Sequence, residues 1–321
     1  MQTLMYQEKL IQEIQKKIAP TKSIIEAIAN ALDISYDAAH RRISMKSKFS
    51  IEETVQLASY FGLSLDKMFQ NSDHVLVKKT TEIQSIYDLS NYLESSFKSL
   101  TEFKADLDTT LYYSAKDIPL FYTINTGLLS QFKKYVWLNL LSADGLDVSF
   151  ESFLAKTAMD SRGQKLHDFY AATKVKEIWN DTTINSTLQQ IMYFSEAGLL
   201  RADNGKMLCD QVKELLFALE KECLPGNERY QLYYHELLIL NNNVLVSDKF
   251  KKSLFVPHTM LGYFITSDAD TCQQVSNFYQ HQLKNSRLLN TAGTRDKKVF
   301  FNKAYQKIDL FKARINALNE I

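Results

Sequence analysis

Nine glycines and four prolines are spread over 321 residues, and this scarcity constrains the fold more than any other feature of the chain. Tight hairpin turns are made mainly by Gly, Pro, Asn and Asp, so a chain this poor in the first two reads as long helices with short connections rather than as a turn-dense β architecture. A mainly α protein is the expectation. With 45% hydrophobic and 23% charged residues the chain is of ordinary globular composition, and its length suits two domains of unequal size. Cys209, Cys223 and Cys272 are odd in number, far apart and without a Cys-x-x-Cys spacing. They suggest neither a disulfide framework nor a zinc site, and a reducing cytosol fits them. Glu8 and Lys9 interrupt the segment where a secretory signal would carry its apolar core. No run approaches the roughly 18 apolar residues of a membrane span. A cytoplasmic protein without membrane contact is expected.

The first seventy residues carry dense local signals. Leu10, Ile11, Ile14 and Ile18 recur at helical spacing and predict a first helix from about residue 4 to 18, closed by Pro20. Ser23 and Glu26 stand at capping-box spacing before a second helix that runs to Leu32. Asp33-Ile34-Ser35 makes a tight connection, and Ser35 caps a third helix from Tyr36 to about Ser44 with Ala38, Ala39 and Ile43 turned inward. A second capping box, Ser50 to Glu53, opens a fourth helix with Val55, Leu57, Ala58 and Phe61 as its apolar positions and Gly62 as its stop. Ser64-Leu65-Asp66 starts a short fifth. The charge is local as well: Arg41, Arg42, Lys46 and Lys48 lie beside His40 in a stretch without Asp or Glu between Asp37 and Glu52.

Ile28-Ala29, Leu32-Asp33-Ile34-Ser35, Ala39-His40-Arg41-Arg42-Ile43 and the ending Leu57-Ala58-x-x-Phe61-Gly62-Leu63-Ser64-Leu65-Asp66 resemble the phage-repressor-like, XRE-like family of helix-turn-helix transcriptional regulators. The likeness covers about a fifth of the chain. Ala29 is small where the second and third helices cross, and Leu32, Ile34, Ala39 and Ile43 fill the wedge between them. Asp33 stands where the family usually has Gly, but Asp tolerates the left-handed conformation of a tight turn. The resemblance implies that the third helix lies in the major groove of double-stranded DNA. Tyr36, Asp37, His40, Arg41 and Ser44 would then face base edges. Arg42, Lys46 and Lys48 read as clamps on the phosphate backbone, with Ser35 beside them at the helix start. Ile25 replaces a common phosphate-contacting Gln, which leaves Lys22 and Ser23 for that role.

Residues 71 to 80 lack helical period and read as a linker with room for a short strand. From Ile86 the series Leu89, Leu93, Phe97, Leu100, Phe103 and Leu107 predicts one long amphipathic helix, either a core helix or a dimer seam. Further helices are predicted over 128–141, 150–158, 166–179, 187–198 and 207–222. Residues 230–240 and 244–247 flank Asn241-Asn242-Asn243 and predict a hairpin, with 255–266 as a third strand. That is a small antiparallel sheet near residues 230–266. Two closing helices are expected from Ala269 to Leu289 and from Lys297 to Leu318. Between Lys284 and Arg314, nine basic residues face only Asp296 and Asp309, a cluster that reads as a solvated face or a phosphate contact.

Enzyme chemistry has little support in these residues. There is no Gly-rich phosphate loop, no nucleophile elbow and no His-Glu-x-x-His, the six His are not grouped at ligand spacing, and no cofactor is implied. The sequence reading is a one-component transcriptional regulator: residues 1–70 on DNA, residues 81–321 as a helical domain that makes a homodimer and takes an unidentified small-molecule or peptide effector. The competing reading is a protein-interaction factor whose helix-turn-helix head no longer reads DNA.

Overall fold

The computed structural model describes residues 6–19, 22–69, 74–143, 145–156 and 162–318, and the backbone alone of Asp66 and Lys67. The chain divides into two compact units, Met1–Leu76 and Val77–Ile321.

The first unit is five helices: α1 (Tyr6–Lys17), α2 (Ile24–Leu32), α3 (Tyr36–Ile43), α4 (Ile51–Phe61) and α5 (Leu65–Phe69). Leu10, Ile14, Ile28, Ala31, Leu32, Ala39, Leu57 and Met68 form its core, one stripe from each helix. Apolar side chains of this size contribute on the order of 1.5–3 kcal/mol each when fully buried. The helix ends follow from single residues. Asp33 closes α2 in the left-handed conformation, φ 53°, with Ile34 N donating to Ala29 O at 3.0 Å. Gly62 closes α4 at φ 62°. Ser50 and Glu53 form the expected reciprocal capping box, whereas Ser23 caps no backbone N–H with its side chain, so the expected box at Ser23–Glu26 does not form. Val55 is 53% exposed and not an inward position. Pro20 and the expected start of the first helix at residues 4 and 5 lie outside the described residues.

The second unit is an α/β domain, which overturns the expectation of a helical domain with a small antiparallel sheet. Its elements are β1 (Lys78–Lys79), α6 (Ile86–Leu100), β2 (Thr110–Ser114), α7 (Leu128–Leu141), α8 (Phe150–Lys156), α9 (Gln164–Ala172), β3 (Lys174–Trp179), α10 (Asn185–Glu196), α11 (Ala202–Glu222), β4 (Tyr230–Tyr234), β5 (Val244–Ser247), β6 (Lys252–Pro257), β7 (Tyr263–Thr266), α12 (Ala269–Lys284), β8 (Arg287–Leu288) and α13 (Thr294–Leu318). The strands make one mixed eight-stranded sheet in the order β1-β7-β6-β5-β2-β3-β4-β8. β2, β3 and β4 are parallel neighbours, with Leu111 opposite Val175 and Val175 opposite Tyr230. Parallel neighbours are joined by helical crossovers rather than by tight turns. The other pairings are antiparallel, and the turn between β5 and β6 is made without Gly or Pro, Asp248 Oδ1 accepting from Phe250 N and Lys251 N, so scarcity of those two residues does not exclude a sheet.

Further expectations differ along this unit. The predicted helix over 166–179 ends at Ala172 because Thr173 turns extended (ψ 164°), and residues 174–179 become the central strand β3. The predicted hairpin of 230–240 with 244–247 is absent: β4 pairs with β3 and β8, and β5 pairs with β2 and β6. Asn242 does adopt positive φ (62°), but the turn it makes leads the chain back across the sheet. The long helix expected from Ile86 stops at Leu100, and its stripe of Leu89, Leu93 and Leu100 is buried in the unit's own core, so it is not a dimer seam. Residues 78–79, at the end of the expected linker with its room for a short strand, pair with β7 as an edge strand. Residues 70–73 and the expected helix end at 157–158 lie outside the described residues.

The sheet alternates strictly between its faces. Leu111, Tyr113, Val175, Trp179, Tyr230, Leu232, Val244 and Val246 join the larger core under α6, α7, α10, α11 and α13. Tyr112, Ile178, Tyr233, Leu245 and Leu254 point the other way, against Cys272, Tyr279 and Leu283 of α12. No helix among the described residues is long and apolar enough to cross a membrane.

Candidate nucleic-acid interface

α3 begins where the Ser35 hydroxyl accepts a hydrogen bond from Ala38 N at 3.3 Å, and it packs on α2 through the fully buried Ala39. The helix ends through Ser44 N to His40 O (2.9 Å) and Lys46 N to Arg41 O (2.8 Å), around Met45 in the left-handed conformation (φ 61°). Its outer face is then settled by period. Residues three or four apart share a helix face, so Tyr36, His40 and Ser44 form one row and Asp37 and Arg41 the row beside it. All five are exposed, Tyr36 by 53%. Lys22, Ser23, Ser35, Lys46 and Lys48 are exposed as well. The structure thus brings the five residues expected to face bases onto one surface, followed directly by the two lysines.

Arg42 is placed differently from the expectation of a free phosphate clamp. Its Nε and Nη2 donate to Glu53 Oε2 (3.0 Å) and Oε1 (2.6 Å), and Nη1 donates to Ala38 O (3.1 Å). The planar guanidinium fork matches a carboxylate in two bonds, and here that pair ties the end of α3 to the start of α4. Glu53 Oε2 also accepts from Ser50 N at 3.0 Å, so one carboxylate holds both the arginine and the helix cap. The Arg42 hydrogen bond keeps the Glu53 carboxyl below the usual range despite partial burial. Arg42 is therefore a residue that sets the attitude of α3.

Gln7 is a positioning residue that sequence reasoning missed. Its Nε2 donates to Arg42 O (2.7 Å) and Ser47 O (2.9 Å), while its Oε1 accepts from Phe49 N (3.1 Å). One side chain from α1 thus fixes the backbone of the segment after α3, which carries Lys46 and Lys48. No local pattern announces such an interaction, since its partners lie 35 to 42 residues away. Ile25 packs against the head core.

With Arg42 neutralised by Glu53, the stretch between Asp37 and Glu52 presents Arg41, Lys46 and Lys48, and among the described residues none of their side chains has a hydrogen-bond or ion-pair partner. Three cations without a partner among the described residues thus follow one another at the end of the exposed α3 face.

Five of the nine basic residues between Lys284 and Arg314 are bonded within the second unit. Arg287 pairs with Asp296 (3.5 Å), Lys303 with Asp181 (3.4 Å) and Lys312 with Asp210 (2.5 Å). Lys297 donates to Cys223 O and Lys307 to Asn185 Oδ1. These bonds mostly attach α13 to neighbouring elements.

Among the described carboxylic acids, Glu177 on β3 is fully buried and strongly perturbed. Its carboxylate accepts from Tyr122 (2.9 Å), Tyr230 (3.0 Å), Trp179 Nε1 (2.7 Å) and the Tyr170 hydroxyl. Burial pushes its carboxyl up to about 7, against hydrogen bonds from Tyr122, Tyr230 and Trp179 that pull it down. These bonds make a buried hydrogen-bond network that joins β3 to β4, to α9 and to Tyr122. Burial likewise pushes the thiols of Cys209 and Cys223 up to about 12, the condition of inert cysteines. No group of three or more His, Cys, Asp or Glu among the described residues could hold a metal ion. His235 follows the end of β4, outside the strand where it was expected, and its Nδ1 accepts from Leu238 N at 3.1 Å. No protein-family model, no curated protein and no solved structure matches the chain.

Proposed function

We propose that the protein is a one-component transcriptional regulator that binds double-stranded DNA through α3. One observation carries the reading: α3 is set against α2 with an outer face made of Tyr36, Asp37, His40, Arg41 and Ser44, and the unpaired cations Arg41, Lys46 and Lys48 lie at its end. A helix of this kind enters a major groove, where an arginine reads a guanine edge with two hydrogen bonds and lysines neutralise phosphates. Asp37 accepts from a cytosine amino group on the same face. Ser35, Lys22 and Ser23 stand close to the helix starts, where backbone N–H groups and short polar side chains meet phosphate.

A head of this size reads half-sites, and a symmetric pair of heads reads two of them, one helical turn or a multiple apart. The second unit holds the pair as a homodimer in the cytoplasm, through a surface other than the buried stripe of α6. In this reading the protein is not an enzyme. Selection of bound sequences from random duplex DNA by the purified chain tests the proposal. Recovery of a pseudo-palindrome supports both base reading and two-fold symmetry. Recovery of no common sequence, at salt low enough for phosphate contacts to form, overturns it and favours an interaction module instead.

A further inference from the structure

In open α/β sheets, ligands bind beyond the carboxyl ends of the parallel strands. Beyond β2 in this protein lies a cleft of about 650 Å³, within the roughly 300–1,000 Å³ range of small-molecule sites. Its floor is a saturated polar network. Lys133 of α7 is 1% exposed, and its ammonium donates to Asp117 Oδ2 (2.9 Å), Gln190 Oε1 (3.0 Å) and Thr187 Oγ1 (3.1 Å). Thr187 donates in turn to Asp117 Oδ1 at 2.9 Å. All three ammonium protons are used, and Asp117 cancels the charge.

The uncompensated charge of the cleft is Lys116. Its backbone is pinned, because the turn residue Asn242 accepts from Lys116 N (2.8 Å) and Asp117 N (3.3 Å) through Oδ1. Its side chain is exposed and has no partner among the described residues. Across the cleft, the turn between β6 and β7 contributes His258, whose Nδ1 is buried without a hydrogen-bond partner. Apolar surface comes from Ile118, Trp137 and Leu261. Neither the Lys133–Asp117 pair nor the packing of the sheet requires an open cavity beside a free ammonium.

We propose that this cleft binds a small amphipathic organic anion, with its anionic group at Lys116 and its apolar part against Ile118, Trp137 and Leu261. The floor, already neutral and fully bonded, offers shape, and Lys116 supplies the charge selection. Octanoate and its uncharged analogue 1-octanol are suitable probes, titrated calorimetrically into the full-length chain. One octanoate per chain is expected, bound about tenfold more tightly than 1-octanol, as a charge-assisted hydrogen bond gives. Lys116→Gln keeps the backbone bonds to Asn242, removes the charge and is expected to abolish the preference for octanoate. Ser186→Trp, which fills the cleft from α10, is expected to abolish binding of both probes. If Ser186→Trp does not fold, Lys116→Gln alone remains decisive, since it alters an exposed side chain. Absence of octanoate binding below its self-association range overturns the proposal. So does equal affinity for the two probes, an unchanged preference in Lys116→Gln, or unchanged binding in a folded Ser186→Trp.

Discussion

Replacing Glu177 by Gln should remove a pH-dependent component of the second unit's stability. Glu177 is fully buried, and its carboxyl rises from 4.5 to about 7 because desolvation outweighs the donors around it. Between these two values the folded chain holds a proton that the unfolded chain has released. The contribution of this group to stability is therefore complete below pH 4.5 and is lost as pH rises towards 7, with a slope of about 1.4 kcal/mol per pH unit. Over the whole window the loss is on the order of 3 kcal/mol. Glutamine has nearly the same shape and does not titrate, and the rotatable hydroxyls of Tyr122, Tyr170 and Tyr230 can donate to its carbonyl or accept from its amide. The assay is urea unfolding of wild type and Glu177→Gln at several pH values from 4.5 to 8, followed by tryptophan fluorescence. Trp137 and Trp179 are the chain's two tryptophans, both in the second unit, and Trp179 donates to Glu177 itself. Other titrating groups cancel in the difference between the two proteins. Glu177→Gln is expected to gain about 3 kcal/mol relative to wild type on going from pH 4.5 to 8. Parallel pH profiles would refute the reasoning and show that the four donors hold the carboxyl at an ordinary value.

Three expectations concern the head. Arg41→Ala should weaken binding to a selected DNA site by about 1–3 kcal/mol and relax preference at one base position; a gel-shift series over point-substituted sites reads this, and a uniform loss over all sequences would make Arg41 a phosphate ligand. Changing Lys46 and Lys48 together to Gln should lower the slope of log affinity against log salt by about 0.9 for each phosphate no longer neutralised, with the preferred site unchanged; an unaltered slope would mean that both are merely solvated. Asp33→Val should cost about 1–2 kcal/mol, because a β-branched residue must then hold φ 53°, whereas Asp33→Asn should be nearly neutral. Hydrogen exchange of the α2 and α3 amides measures both, and equal protection in the two variants would count against the strain argument.

The sequence by itself determined the head, because every signal there acts over a few residues. Ser35, Ser50 with Glu53, Asp33 and Gly62 set helix ends through bonds or backbone angles within one turn, and the stripes of Leu10, Ile14, Ile28, Leu32 and Leu57 mark the buried faces. The exposed row of α3 follows from period alone. What sequence could not show even there is which of two adjacent arginines stays free, since Arg42 finds Glu53 eleven residues on and Gln7 reaches back across thirty-five. In the second unit the tertiary structure decided the architecture. β3 is a central strand with buried residues on both faces, and its Glu177 reads as a solvent-facing residue until three tyrosines and a tryptophan are brought around it. Parallel pairing joins 110–114 to 174–178 and 175–179 to 230–234. Such pairs are specified by interactions between segments more than fifty residues apart, and nothing in the local spacing of either segment encodes them.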